Sequence, residues 1–133
     1  MERFEVRTRS RNQMVKITAQ VEAAVRALGL GEGAVLVSSP HTTAGIVVQE
    51  GADPDVVHDL LMRLAELAPH AHPGDRHAEG NSDAHLKTAL VGHAQLLPVS
   101  GGRLALGTWQ QVFLAEFDGP RTRQVWVVAV TGS

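Results

Sequence analysis

The segment from Thr108 to Phe117 constrains the fold more than any other part of the chain. Read with the two-residue period of a strand, it places Trp109, Phe113 and Phe117 on one face and Val112 and Leu114 on the other. A strand that is apolar on both faces must be covered on both sides, so it belongs in the middle of a layered molecule. The other segments supply the layers. Phe4, Val6 and Thr8 alternate with Glu5, Arg7 and Arg9 as in a half-buried strand, and Asn12 turns the chain toward a second near Met14–Ile17. Strands are also expected over Ala34–Ser38, Gly45–Gln49, Gln95–Val99, Arg103–Leu106 and Gln124–Val130. Ser100-Gly101-Gly102 reads as a hairpin turn, and Asp118-Gly119-Pro120 turns the chain before its last strand.

Three helices are expected between these strands. Thr18 caps the first, whose stripe is Val21, Ala24, Val25 and Leu28, and Gly29 stands where a left-handed C-terminal cap is wanted. Asp53-Pro54 starts the second, with Val57, Leu60, Leu61, Leu64 and Leu67 facing the core and Pro69 ending it. His70 to Asn81 has no period of either kind and reads as a surface loop. Ser82 caps a short third helix carrying His85, Leu86, Ala89 and Leu90. Three helices among mostly antiparallel strands predict an α+β fold, and 133 residues suit one domain over 1–133.

The absent residues narrow the chemistry. Without cysteine the chain has no thiolate nucleophile, disulfide or cysteine-ligated metal, and without tyrosine it has no phenol. Seven histidines remain, five of them between His70 and His93. A net charge of -2 argues against nucleic acid held by bulk charge. No apolar run is long enough for a membrane span, and Met1-Glu2-Arg3-Phe4-Glu5 is charged where a secretory signal is apolar. A cytoplasmic protein is the resulting expectation.

Ser38-Ser39-Pro40-His41-Thr42-Thr43-Ala44-Gly45 sets one imidazole and several hydroxyls between two strands. It is either a ligand mouth or a turn whose hydroxyls satisfy local backbone groups. His77 and His85 flank Gly80-Asn81-Ser82 at a helix start, whose positive pole favours neutral imidazole and attracts anions. His41, His77 and His85 could form a three-imidazole divalent-metal site, or could simply be surface residues. His58, His70, His72 and His93 have nothing polar organised around them and are assigned to the surface. Asp118-Gly119-Pro120-Arg121-Thr122-Arg123 reads either as an anion clamp or as an Arg121–Asp118 pair with Arg123 facing outward. Trp109 is a stacking platform or a core residue, and Glu50 is a general base, a metal ligand or a solvated strand end.

These segments occur together in a recognisable order. His41-Thr42-Thr43-Ala44, Glu50, His77, Gly80-Asn81 with Ala84-His85, Gly102-Arg103-Leu104, Gly107-Thr108-Trp109-Gln110 and Asp118-Gly119-Pro120-Arg121 resemble the YjbQ-like family over nearly the whole chain. Gln49 and Ser82 depart from the pattern, where Asn and Ala are expected. Members of that family are described as secondary thiamine-phosphate synthases. The resemblance implies a β-sandwich-like, mostly antiparallel core with about three helices packed on one side, assembled as a homotrimer. It also implies weak transferase activity joining a hydroxymethylpyrimidine diphosphate to a thiazole phosphate with loss of diphosphate. On that reading His41, His77 and His85 bind a divalent metal (zinc or magnesium) or phosphate, and Glu50 and His85 are catalytic. Thr42, Thr43, Asn81, Trp109, Gln110 and Arg121 bind substrate. The rival expectations are a metal-assisted hydrolase of a phosphorylated or carbonyl metabolite and a non-catalytic trimer that binds a small anion.

Overall fold

The computed structural model describes residues 1–130. Its elements, in chain order, are β1 (Glu2–Arg7), β2 (Gln13–Lys16), α1 (Thr18–Leu28), β3 (Gly33–Ser38), β4 (Ala44–Glu50), α2 (Pro54–Leu67), α3 (Ser82–Val91), β5 (Ala94–Ser100), β6 (Arg103–Leu104), β7 (Gln110–Glu116) and β8 (Thr122–Val130). The strands form a five-stranded sheet ordered β1-β8-β3-β5-β6 and a three-stranded sheet ordered β2-β7-β4, with every pairing antiparallel. The fold is α+β.

The doubly apolar segment is β7, the central strand of the smaller sheet. Val112 and Leu114 point into the space between the sheets, where they meet Val35, Val37, Leu97, Val99, Val125 and Val127 from the larger one. Helix α1 adds Val21, Ala24 and Val25 to that cluster. On the opposite face of β7, Ala115 and Phe117 pack with Ala84 and Val91 of α3 and with Leu61 and Leu64 of α2. One strand thus serves two cores, which is why it carries apolar residues at both parities.

Local signals explain two of the helix ends. Gly29 adopts φ 66°, and its amide bonds back to the Arg26 carbonyl, closing α1. The Asp53 side chain accepts from the Asp55 amide at 2.9 Å ahead of Pro54, so α2 begins where its capping pair sits. Two expected caps differ. Thr18 lies inside α1, and its hydroxyl instead accepts the Val112 amide at 2.9 Å, tying the helix to β7. Ser82 is the first residue of α3, preceded by Asn81 at the cap position, and neither supplies a side-chain cap.

The expected core stripe of α2 is only half-buried. None of its residues is fully buried, and Leu67 is 71% exposed. Beneath it lies a cavity of about 280 Å³ lined by Val47, Leu60, Leu64, Val91 and neighbours. The outer face of the five-stranded sheet is also apolar and open, with Leu96 61% and Val130 46% exposed beside Leu36, Trp126 and Val128. No helix among the described residues is long and apolar enough to cross a membrane.

Candidate functional site: an imidazole-lined cavity

Between the His41 loop and the side of α3 lies a cavity of about 340 Å³ lined by His41, Thr42, His85, Thr88, Ala89, Gly92 and His93. Its floor exists because residue 45 is glycine. A Cβ there would sit 2.4 Å from the Gly92 carbonyl oxygen and 2.8 Å from Val91 Cγ2. Without one, the end of α3 closes onto β4, and the Ile46 amide donates to the Gly92 carbonyl at 3.2 Å. The Ser39 amide donates to the His93 carbonyl at 2.7 Å, so the His41 loop and the α3–β5 junction are fastened directly. Ser39, itself buried, donates its hydroxyl to the Ala44 carbonyl at 2.7 Å and accepts the His41 amide at 3.2 Å. The local-turn reading of this segment therefore holds for Ser39, while His41 and Thr42 turn to the cavity.

His41 is held in one neutral tautomer. Its Nε2 accepts the Gln124 backbone amide at 2.8 Å. A backbone amide can only donate, so Nε2 carries no hydrogen, and neutral His41 bears its proton on Nδ1. Burial first, and then the nearby Arg123 guanidinium, hold the imidazole below its usual 6.5. His41 is thus a neutral donor with no unengaged acceptor nitrogen.

The guanidinium behind it belongs to a closed network. Arg123, read from sequence either as part of an anion clamp or as facing outward, points inward and is 4% exposed. Its Nε donates to Glu116 Oε1 at 2.8 Å and its Nη2 to Thr43 Oγ1 at 2.8 Å, with a further bond from Nη2 to Glu116 Oε2. Glu116 also accepts from the Thr8 hydroxyl at 2.8 Å and from the Asp118 amide at 3.0 Å. Burial raises the Glu116 carboxyl, but these donors outweigh it and leave it below its usual range. Thr43 is consumed by this network, so its role is to orient Arg123.

His85 and His77 are neighbours, with ring centroids 5.4 Å apart and planes at 87°. His85 borders both the His41 cavity and a second depression that it shares with His77 and Ser82. His77 does not line the His41 cavity. Among the described residues no three His, Asp or Glu side chains are arranged to hold a metal ion. With His41 Nε2 already occupied, the residues do not fit a three-imidazole metal centre within one chain.

Asn81 lies beside these histidines, its backbone carbonyl accepting the His85 amide at 3.3 Å. Its Nδ2 donates to Asp118 Oδ2 at 2.8 Å, and its Oδ1 is buried without a hydrogen-bond partner among the described residues. Arg121 is tied to Asp118 through Nη2 at 3.0 Å and through Nε to the Asp118 carbonyl at 2.7 Å, with half of its side chain exposed.

The remaining expected residues sit elsewhere. Register pairs Ala44 with Glu116 at one end of β4–β7 and Glu50 with Gln110 at the other. The length of strand between them separates those ends by about 20 Å. Glu50 accepts the Asp53 amide at 2.8 Å, Gln110 bonds back to the Gly107 amide at 2.8 Å, and Trp109 is 63% exposed. Glu50, Trp109 and Gln110 therefore do not meet His41 and His85 within one chain. Conversely, His93, assigned to the surface from sequence, lines the cavity while remaining exposed. The available signal was its position after Gly92 at a helix end, which brings it beside the His41 loop only once β3 and β5 pair.

A family model described as "UPF0047 protein YjbQ-like" matches residues 2–132. The Bacillus subtilis strain 168 UPF0047 protein YugU is 48% identical over 124 residues, covering 93% of this chain and 94% of its own. UPF0047 protein MJ1081 of Methanocaldococcus jannaschii is 42% identical over 125 residues, covering 94% and 90%. Among solved structures, the conserved hypothetical protein TT1486 from Thermus thermophilus has TM-score 0.91 and 57% identity, covering 98% of this chain and 100% of its own. An uncharacterized yjbq/upf0047 family protein from Clostridium acetobutylicum reaches TM-score 0.94 at 42% identity, with the same coverage.

Proposed function

The chain belongs to the YjbQ-like UPF0047 family, and from that premise we propose that it is a weak thiamine-phosphate synthase-like transferase. It joins a hydroxymethylpyrimidine diphosphate to a thiazole phosphate and binds the departing diphosphate in the His41–His85 cavity. The observation that carries this reading is the fixed state of His41, whose only free polar group is an N–H. Beside it stand the Thr42 hydroxyl and His85, with no carboxylate among the lining residues. A wall of donors without an anion suits phosphoryl oxygens.

The chemistry matches what the chain supplies. The bond from the pyrimidine methylene carbon to the diphosphate oxygen breaks, and diphosphate leaves with the electron pair. The thiazole nitrogen lone pair forms the new carbon–nitrogen bond, so no proton is removed. The protein's task is to hold both partners and stabilise charge developing on the leaving group, by His41 Nδ1–H, Thr42 and His85. Asn81 Oδ1, a buried acceptor still lacking a donor among the described residues, and the exposed side of Arg121 would orient substrate. No step is assigned to the zinc or magnesium ion that the resemblance implies, because the imidazoles do not converge on a centre within one chain.

A homotrimer in the cytoplasm is part of the same proposal. The open apolar face of Leu36, Leu96, Trp126 and Val130 supports self-association, and a neighbouring copy could bring its Glu50–Trp109–Gln110 end to this cavity. One observation favours a second reading, the non-catalytic anion-binding protein: within one chain, Glu50 lies at the far end of β4 from the His41 loop and does not line the cavity. A hydrolase would have to use the His85 or His93 imidazole to take a proton from water, since no carboxylate lines the cavity.

The test is incubation with both precursors and measurement of thiamine phosphate, with and without a chelator, for the native protein and His85→Ala. Product from the native protein and a loss of about tenfold or more in the variant are expected. Saturable diphosphate binding without product would leave only the binding protein.

A further inference from the structure

Of the four histidines lying outside the family motifs, three are spent or remote. His58 faces Asp59 at 3.0 Å on an exposed turn of α2, His72 Nδ1 accepts the Gly74 amide at 2.9 Å, and His70 lies in the exposed loop before α3. His93 is different. Its backbone is fixed by the Ser39 amide on its carbonyl, and the Gly92 before it is fixed by the Thr88 carbonyl and the Ile46 amide. Its ring makes no hydrogen bond or ion pair among the described residues, yet it lines the same cavity as His41, Thr42 and His85.

We infer that His93 is a substrate-contacting, specificity-determining residue of this cavity, a third imidazole that donates a hydrogen bond to a phosphoryl oxygen of the ligand. This rests on the oxyanion reading of the cavity given above. The fold holds the His93 backbone rigidly while requiring nothing of its ring. A side chain so placed is unengaged and can turn to a ligand, at the cost of ordering one exposed ring. His41 and Thr42 face it from the β3–β4 loop, and His85, Thr88 and Ala89 from α3. None of these is a carboxylate, so nothing in the cavity wall competes with an anionic ligand for the three rings.

The probe is inorganic diphosphate, added at a fixed pH of about 8. The imidazole carbon-bound proton resonances of all seven histidines are followed, and Kd is measured for the native protein, His93→Ala and His93→Gln. His41, His85 and His93 should shift together while His58, His70 and His72 stay still. His93→Ala should weaken binding about tenfold, the scale of one hydrogen bond to a charged group, with an unchanged melting temperature. His93→Gln, which keeps an N–H donor, should recover part of that loss. If His41 and His85 shift while His93 does not, and His93→Ala binds as tightly as the native protein, the inference is overturned while the oxyanion reading of the cavity stands. If none of the three shifts, both are overturned.

Discussion

Arg123 and Gly45 show how single residues build this cavity from behind. Arg123 and Glu116 are buried together, and each satisfies the other's charge. Removing the cation leaves a carboxylate with 0% exposure and no counter-charge, so Arg123→Ala should cost about 3–5 kcal/mol in denaturant unfolding. A loss below about 1 kcal/mol would show that the pair does not hold the His41 loop. Gly45→Ala should cost about 1–3 kcal/mol by forcing the Gly92 carbonyl away, and it should weaken diphosphate binding as well. A stable Gly45→Ala protein with native affinity would separate that close approach from the cavity. Neither role is visible in sequence. The Arg121-Thr122-Arg123 spacing leaves open which side of the last strand is inward, and that depends on β8 pairing with β1 and β3.

Elements were legible where a local cause sets them. Asp53-Pro54 and Gly29 carry their own capping chemistry, and the two-sided apolar pattern of β7 announces a central strand before any partner is known. The fate of α2 was not legible, because its apolar stripe records amphipathicity and not how closely the opposing surface fits. Its residues stay half-buried above a cavity of about 280 Å³. Native-state hydrogen exchange should therefore find α2 amides opening well before those of α1 and β7. Equal protection would mean that α2 is held by contacts not seen in the single chain. Leu64→Ala should cost about 1–2 kcal/mol, below the range of about 2–5 typical of a full core position such as Leu114.

At the scale of the whole molecule, stability should depend on pH in two stages. His41 has a native pKa below its unfolded value near 6.5, so the unfolded chain takes up a proton that the native one refuses. Stability from this group is complete above about pH 6.5 and declines as the pH falls through that point. Asp83 and Asp118 follow Glu116: burial raises each, but Arg11 beside Asp83, and Asn81 with Arg121 beside Asp118, leave both depressed. Their contribution is present above about pH 4 and is lost on further acidification. Thermal unfolding across about pH 3–8 should show a shallow decline below about pH 6.5 and a steep one below about pH 4. A flat profile down to about pH 3 would contradict the carboxylate network.

The motifs brought His41, His85 and Asn81 forward as candidates, but the fold sets them near one another, since His41 lies between β3 and β4 and Asn81 just before α3. Glu50 was expected beside them from its place at a strand end and Gln110 from resemblance, and the length of β4 separates both from that group within one chain. The donor-lined character of the cavity depends on the state of His41. Long-range proton–nitrogen correlation spectra of the imidazoles at about pH 7.5 test it most directly. A neutral His41 ring with its proton on Nδ1 is expected, and a proton on Nε2, or on both nitrogens, would overturn the donor-lined cavity.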